Sequence, residues 1–100
     1  MEKIKKYSKL MIDEILDADK YMDMACKMKS SNDELAEDFM EIAKQELHHK
    51  EIIGKALKEY IEDCEEEDGQ SPEMKTVYDF ICEINSDMEA PVLAKMKTFD

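Results

Sequence analysis

Residues 35–60, LAEDFMEIAKQELHHKEIIGKALKEY, decide the fold. Taking every third and fourth residue alternately gives Leu35, Phe39, Ile42, Glu46, His49, Ile53, Ala56 and Tyr60, apolar except for the two members of a Glu-x-x-His unit. The same spacing in the preceding segment gives Ile4, Tyr7, Met11, Glu14, Ala18, Tyr21, Ala25 and Met28, with one charge among eight positions. A period of about 3.5 residues marks the seam of packed helices, so the pattern predicts Glu14, Glu46 and His49 pointing into a helical interface. No Lys or Arg shares either seam. A carboxylate withdrawn from water needs a counter-charge, a dense set of hydrogen bonds or a metal, or else it becomes neutral.

A second argument places the three residues together. If the hairpin turns near Ser31, Glu14 lies 17 residues before the turn, and Glu46 and His49 lie 15 and 18 after it. At 1.5 Å per residue all three stand at one height, roughly 22 to 27 Å from the turn. Residues three apart on a helix share a face, so Glu46 and His49 can hold one ion together.

One hundred residues make a single domain, 1–100, read as a metal-binding hairpin (1–62) and a C-terminal helical extension (70–100). Nine Met, seven aromatics, two Gly and two Pro describe an all-α protein without sheet-forming runs. Helices this long leave too few elements for a self-contained core, and a lone hairpin exposes its seam. A homodimer is the simplest remedy, two hairpins forming a four-helix bundle, with a higher homo-oligomer left open.

A formal charge of -12 opposes binding to nucleic acid and to anionic membranes, and favours cations as partners. No apolar run is long enough to span a bilayer, and the Lys-rich start (Lys3, Lys5, Lys6) enters an amphipathic helix rather than a signal sequence, so a cytoplasmic location is expected. Cys26, Cys64 and Cys82 are odd in number and widely spaced, with no CxxC pair, which argues against a disulfide framework or a rubredoxin-type centre.

Along the chain, a first helix is expected from about Glu2 to Lys29, then a break at Ser30–Asp33 with Ser31 and Glu34 as a capping box. A second helix follows from Asn32 or Asp33 to about Glu62, closed at Gly69 beyond an acidic tract. Ser71-Pro72-Glu73 reads as the start of a third helix with core face Met74, Val77, Tyr78, Ile81, Ile84 and Met88. Ala90-Pro91 is expected to stop or kink it, leaving Val92, Leu93, Met96 and Phe99 for a last short helix packed on a neighbour.

Pairing two hairpins about a twofold axis doubles the set to four carboxylates and two imidazoles, matched in charge by two divalent cations. One Glu from each of two helices and a Glu-x-x-His from each of the other two is the ligand inventory of di-iron and di-manganese bundles. Ligands without thiolate suit Fe or Mn, with Zn also possible. Two metal ions per dimer, two Fe with Mn or Zn possible, are the expected cofactor content, the ligands themselves specifying the metal only weakly.

The segments Glu14-Ile-Leu-Asp-Ala-Asp-Lys-Tyr21 and Phe39-Met-Glu-Ile-Ala-Lys-Gln-Glu46-Leu-His-His49 resemble the ferritin and rubrerythrin superfamily, where a Glu precedes a Tyr by seven residues and a later helix carries Glu-x-x-His. The resemblance covers about residues 10 to 60 and looks most like the encapsulated ferritins, short chains that supply half a ferritin bundle. It implies Glu14, Glu46 and His49 as iron ligands and catalytic residues of a ferroxidase, with Tyr21 beside them. Lys20 stands where encapsulated ferritins carry Trp. An encapsulin shell is a possible partner and compartment, although no targeting extension is seen.

The function expected is oxidation of Fe(II) at a site shared across a dimer interface. The alternatives are a rubrerythrin-like peroxide reductase, which needs an external electron donor, and a non-catalytic helical module whose seam Glu and His specify a partner. His48, Asp13 and Asp17 lie beside the seam and are read as solvated, and the Met residues as core filler.

Overall fold

Three helices account for the described residues of the computed structural model, which covers the backbone of residues 2–68 and 72–99, with side chains for 2–64 and 73–99. They are α1 (Glu2–Met28), α2 (Asp33–Asp68) and α3 (Pro72–Phe99). There is no strand among the described residues. α1 and α2 form an antiparallel hairpin, and α3 lies mainly along α1, giving a rod of 56 × 19 × 18 Å.

The turn closes with local chemistry. The amides of Ser31 and Asn32 both donate to the Met28 carbonyl, at 3.1 and 2.8 Å, which ends α1. The side-chain oxygen of Asn32 then accepts from the Leu35 amide at 3.1 Å, making Asn32 the N-cap of α2. The expected capping box on Ser31 and Glu34 is therefore replaced by an Asx cap one residue later. The Ser31 hydroxyl instead turns back to the Met28 carbonyl.

Packing between α1 and α2 runs through alanines. Ala18, Ala25, Ala36 and Ala43 are all fully buried, so the helix surfaces meet almost backbone to backbone over one half of the hairpin. At Gly54 an added Cβ would stand 3.1 Å from the Met11 Cε, so even a methyl group crowds that crossing.

The core lies one residue over from the seam expected on α2. Its buried stripe is Ala36, Met40, Ala43, Leu47, Leu57 and Ile61, whereas Leu35, Phe39, Ile42, Glu46, Ile53 and Tyr60 are half-buried, and His49 and Ala56 exposed. The difference arises because α3 occupies the groove on the other side and draws the inner stripe to it. The chain consequently has a core of its own, contrary to the expectation that it holds too few elements for one.

Two further corrections concern helix ends. α2 continues to Asp68 rather than about Glu62, while Gly69 and Ser71 lie outside the described residues. α3 runs unbroken through Pro91 to Phe99, with no stop at Ala90 and no separate short helix. A proline inside a helix costs about 3 kcal/mol. Burying Val92, Met96 and Phe99 against the hairpin returns about 1.5–3 kcal/mol each. Lys95 adds ion pairs to Asp19 at 2.6 Å and Asp23 at 2.8 Å, which hold its ammonium pKa up at about 12. Pro91 itself faces solvent, where water can satisfy the carbonyl it leaves unpaired.

The apolar interior falls into two clusters. Ile15, Met22, Met40, Leu47, Val92 and Phe99 belong to the one nearer the turn, and Ile4, Met11, Leu57 and Ile61 to the one at the far end. Between them lies a polar layer. The Lys50 ammonium meets the Glu89 carboxylate at 2.7 Å, with the two side chains 13% and 16% exposed. Asn85, 4% exposed, donates from Nδ2 to the Met11 sulfur at 3.7 Å, while its Oδ1 is buried without a partner.

Two outcomes follow for stability. Glu89→Leu leaves Lys50 unpartnered and lowers unfolding free energy by about 2–3 kcal/mol, and adding Lys50→Met recovers most of that loss. Urea titration measures both; a double variant as unstable as the single one contradicts the account. Asn85→Leu removes an unsatisfied buried carbonyl and raises stability by roughly 1 kcal/mol, and a lower urea midpoint in that variant contradicts it.

Candidate metal centre

Glu14 comes from the middle of α1, and Glu46 and His49 from one turn of α2. The structure brings the three together: one ligand atom of each lies within 4.8 Å of the others. His49 Nδ1 stands 3.6 Å from Glu14 Oε2 and 3.8 Å from Glu46 Oε2. Both separations exceed hydrogen-bond length, so the imidazole neighbours the carboxylates without bonding to either. The levels computed from the turn therefore meet, and they do so because the alanine-lined crossing leaves only a short gap between the helices.

Exposure differs from the expectation of three buried groups. The side chains of Glu14 and Glu46 are 23% and 20% exposed, and that of His49 is 53% exposed. The cluster lies on the hairpin face away from α3. Ser8, Ile12, Asp19 and Asp23 mark the α3 side of α1. Glu14 stands two residues from Ile12, about 200° around the helix.

The electrostatics are unresolved within one chain. Glu14 Oε2 is sealed from solvent and receives no hydrogen bond. The Glu46 pKa is raised above the ordinary glutamate value, first by a hydrogen bond shared with the Glu14 carboxyl, then by desolvation and the Glu14 charge, with His49 acting in the opposite direction. Proton sharing between the two acids is what neighbouring carboxylates do when no cation separates them. An orphaned carboxylate oxygen, a second acid that resists ionisation and a nearby imidazole fit a divalent cation of the carboxylate- and imidazole-binding kind.

The other sequence candidates fall outside this group. Tyr21 is half-buried and stacks on Phe39, with ring centroids 6.2 Å apart and planes at 22°. It stands two turns along α1 from Glu14, about 10.5 Å. His48 and Asp13 are exposed, and Asp17 is partly so. What sequence reasoning missed is Lys50, one turn beyond Glu46, which is drawn toward α3 by Glu89. The signal was available in the inner stripe of α2, where Lys50 follows Ala36, Met40, Ala43 and Leu47 at the same spacing.

No described helix is long and apolar enough to cross a membrane. No curated protein and no solved structure matches the chain. A family model described as Rubrerythrin matches residues 9–90, a span that contains Glu14, Glu46 and His49 as well as most of α3. With that span matched and this cluster at its centre, the chain belongs to the rubrerythrin family, a ferritin-like group of helical iron-binding proteins.

Proposed function

We propose that two copies of this chain pair through the hairpin face left uncovered by α3 and oxidise Fe(II), bound as substrate, with oxygen or peroxide. The observation that carries this reading is the convergence of Glu14, Glu46 and His49 within 4.8 Å on that face. Leu10 and Met24 of α1 are 40% and 42% exposed, and the half-buried Phe39, Ile42 and Ile53 of α2 flank the cluster. An apolar surface of this kind around a polar centre suits a twofold partner bearing the same surface. Pairing doubles the ligand set to that of a two-iron bundle.

The residues divide the work. Glu14 and Glu46 bind cations through carboxylates whose negative charge has no other counterpart in the cluster, and His49 offers a neutral nitrogen donor. Phe39, Ile42 and Ile53 restrict water once a partner covers them. Two Fe(II) ions lose one electron each. The pair of electrons, with two protons, reduces O2 to hydrogen peroxide or splits hydrogen peroxide into two waters. Tyr21, stacked on Phe39 two turns along α1 from Glu14, is assigned a packing role beside the site rather than a contact with the ions.

The family match favours a second reading, a rubrerythrin-like peroxide reductase, in which the same two irons stay bound and cycle with electrons from a donor outside the chain. Stopped-flow oxidation separates the two: preference for oxygen without a donor supports the first, repeated turnover with peroxide and a donor supports the second.

Protein purified from iron-supplemented cells is expected to hold about one transition-metal ion per chain, and Fe(II) to shift monomer toward dimer in light scattering. Glu46→Gln should abolish that shift; metal content and mass unchanged in the variant count against the assignment.

The direction of the Glu46 shift fixes the pH dependence. A carboxyl whose folded pKa is raised stabilises the metal-free fold at low pH and loses that contribution as pH rises through the folded value, so melting temperature of the metal-free protein should fall as pH is raised above about 4.5. Metal binding needs the ionised form and runs the other way, with metal released as pH falls. Calorimetry with and without chelator reads both trends, and parallel trends in the two samples refute the linkage.

A further inference from the structure

A groove between α1 and α3 opens on the opposite side of α1 from the metal cluster. It is open to solvent, offers about 360 Å³ and is lined by Ile4, Ile12, Val77, Phe80, Ile81 and Ile84, together with Ser8, Lys5 and Lys9. That volume is at the lower end of the roughly 300–1,000 Å³ of small-molecule sites. Its lining has almost no hydrogen-bonding capacity, because the Ser8 hydroxyl already donates to the Ile4 carbonyl at 2.6 Å. Phe80 keeps 60% of its surface exposed along this groove, more than any other exposed large apolar side chain described.

Charge gives the groove its second property. The chain carries 26 acidic and 14 basic residues, so two neighbouring lysines at the rim of an apolar groove reverse its overall charge locally. Lys50 and Lys95 are both in ion pairs, yet neither Lys5 nor Lys9 is in one among the described residues. These two are one helical turn apart and project from the same side of α1. The groove therefore joins an apolar trough to a pair of free cations at one edge.

We propose that this groove binds an aliphatic carboxylate, its chain lying against Ile12, Phe80, Ile81 and Ile84 and its carboxylate on Lys5 and Lys9. A ligand with polar groups along its length would lose their hydration without replacement in this lining. A ligand with one anionic end has its lost hydration offset, because the lysines supply charge-assisted hydrogen bonds where the apolar surface stops. The site is separate from the metal cluster and does not rest on the iron-handling reading.

Titration calorimetry of the full chain, as purified, with decanoate tests it. One decanoate per chain is expected, with decyltrimethylammonium binding at least about tenfold more weakly, since the lysines repel its head. Lys5→Glu combined with Lys9→Glu should weaken decanoate by about tenfold or more, and Phe80→Asp should do the same through the trough. All three positions are exposed, so the variants fold, and their metal content should match the parent chain. Equal affinity for the two decyl ligands, unchanged decanoate affinity in the variants, or binding to phosphatidylglycerol vesicles without binding to free decanoate each overturns the proposal. The last result would make the lysines a membrane contact.

Discussion

The close approach of α1 and α2 governs everything else in the molecule. Four fully buried alanines let the two helices lie nearer than larger side chains permit, and interaxial distance follows the side chains at the contact. Glutamate is short, with two methylenes between backbone and carboxyl. Only helices this near can bring Glu14 on one of them against Glu46 on the other. Larger residues at positions 18 or 43 would widen the gap, and the carboxylates would face water separately rather than each other.

That proximity sets an electrostatic problem which the single chain leaves standing. At the height of the cluster the apolar interior is interrupted, with Glu14, Glu46 and His49 on one side and the Lys50–Glu89 pair and Asn85 on the other. The Lys50 charge is spent on Glu89, so it does not neutralise Glu46 one turn away. A polar layer across a helical rod is costly unless its members are satisfied. One side is satisfied by an ion pair between helices. The other retains an orphaned oxygen and a carboxyl that resists losing its proton.

Much of this was legible in the sequence. The periodicity of residues 4–28 and 35–60, together with the distances of Glu14, Glu46 and His49 from Ser31, leads to a hairpin with three ligand-type side chains at one level. What periodicity could not distinguish was which of two adjacent stripes on α2 faces the core of its own chain. Both Leu35-Phe39-Ile42 and Ala36-Met40-Ala43 repeat at the same interval, and the choice depends on where α3 lies, a long-range contact that local spacing does not encode. Pro91 misled for a related reason. Local preference ends a helix there, but the burial of Val92, Met96 and Phe99 on the hairpin outweighs it. The Lys5–Lys9 groove was invisible because its two walls come from helices more than sixty residues apart.

The two stripes on α2 also govern how freely this chain can vary. With the inner one committed to α1 and α3 and the half-buried outer one carrying Glu46 and His49, the arc left over on that helix is a ribbon about half its circumference wide that includes Glu37, Glu41, Lys44, His48, Glu51, Lys55, Glu59 and Glu62, all exposed. Mutational drift, affinity tags, dyes and cross-linkers on α2 are tolerated along that ribbon. It is the margin on which evolution, or an experimenter, can write without disturbing the text.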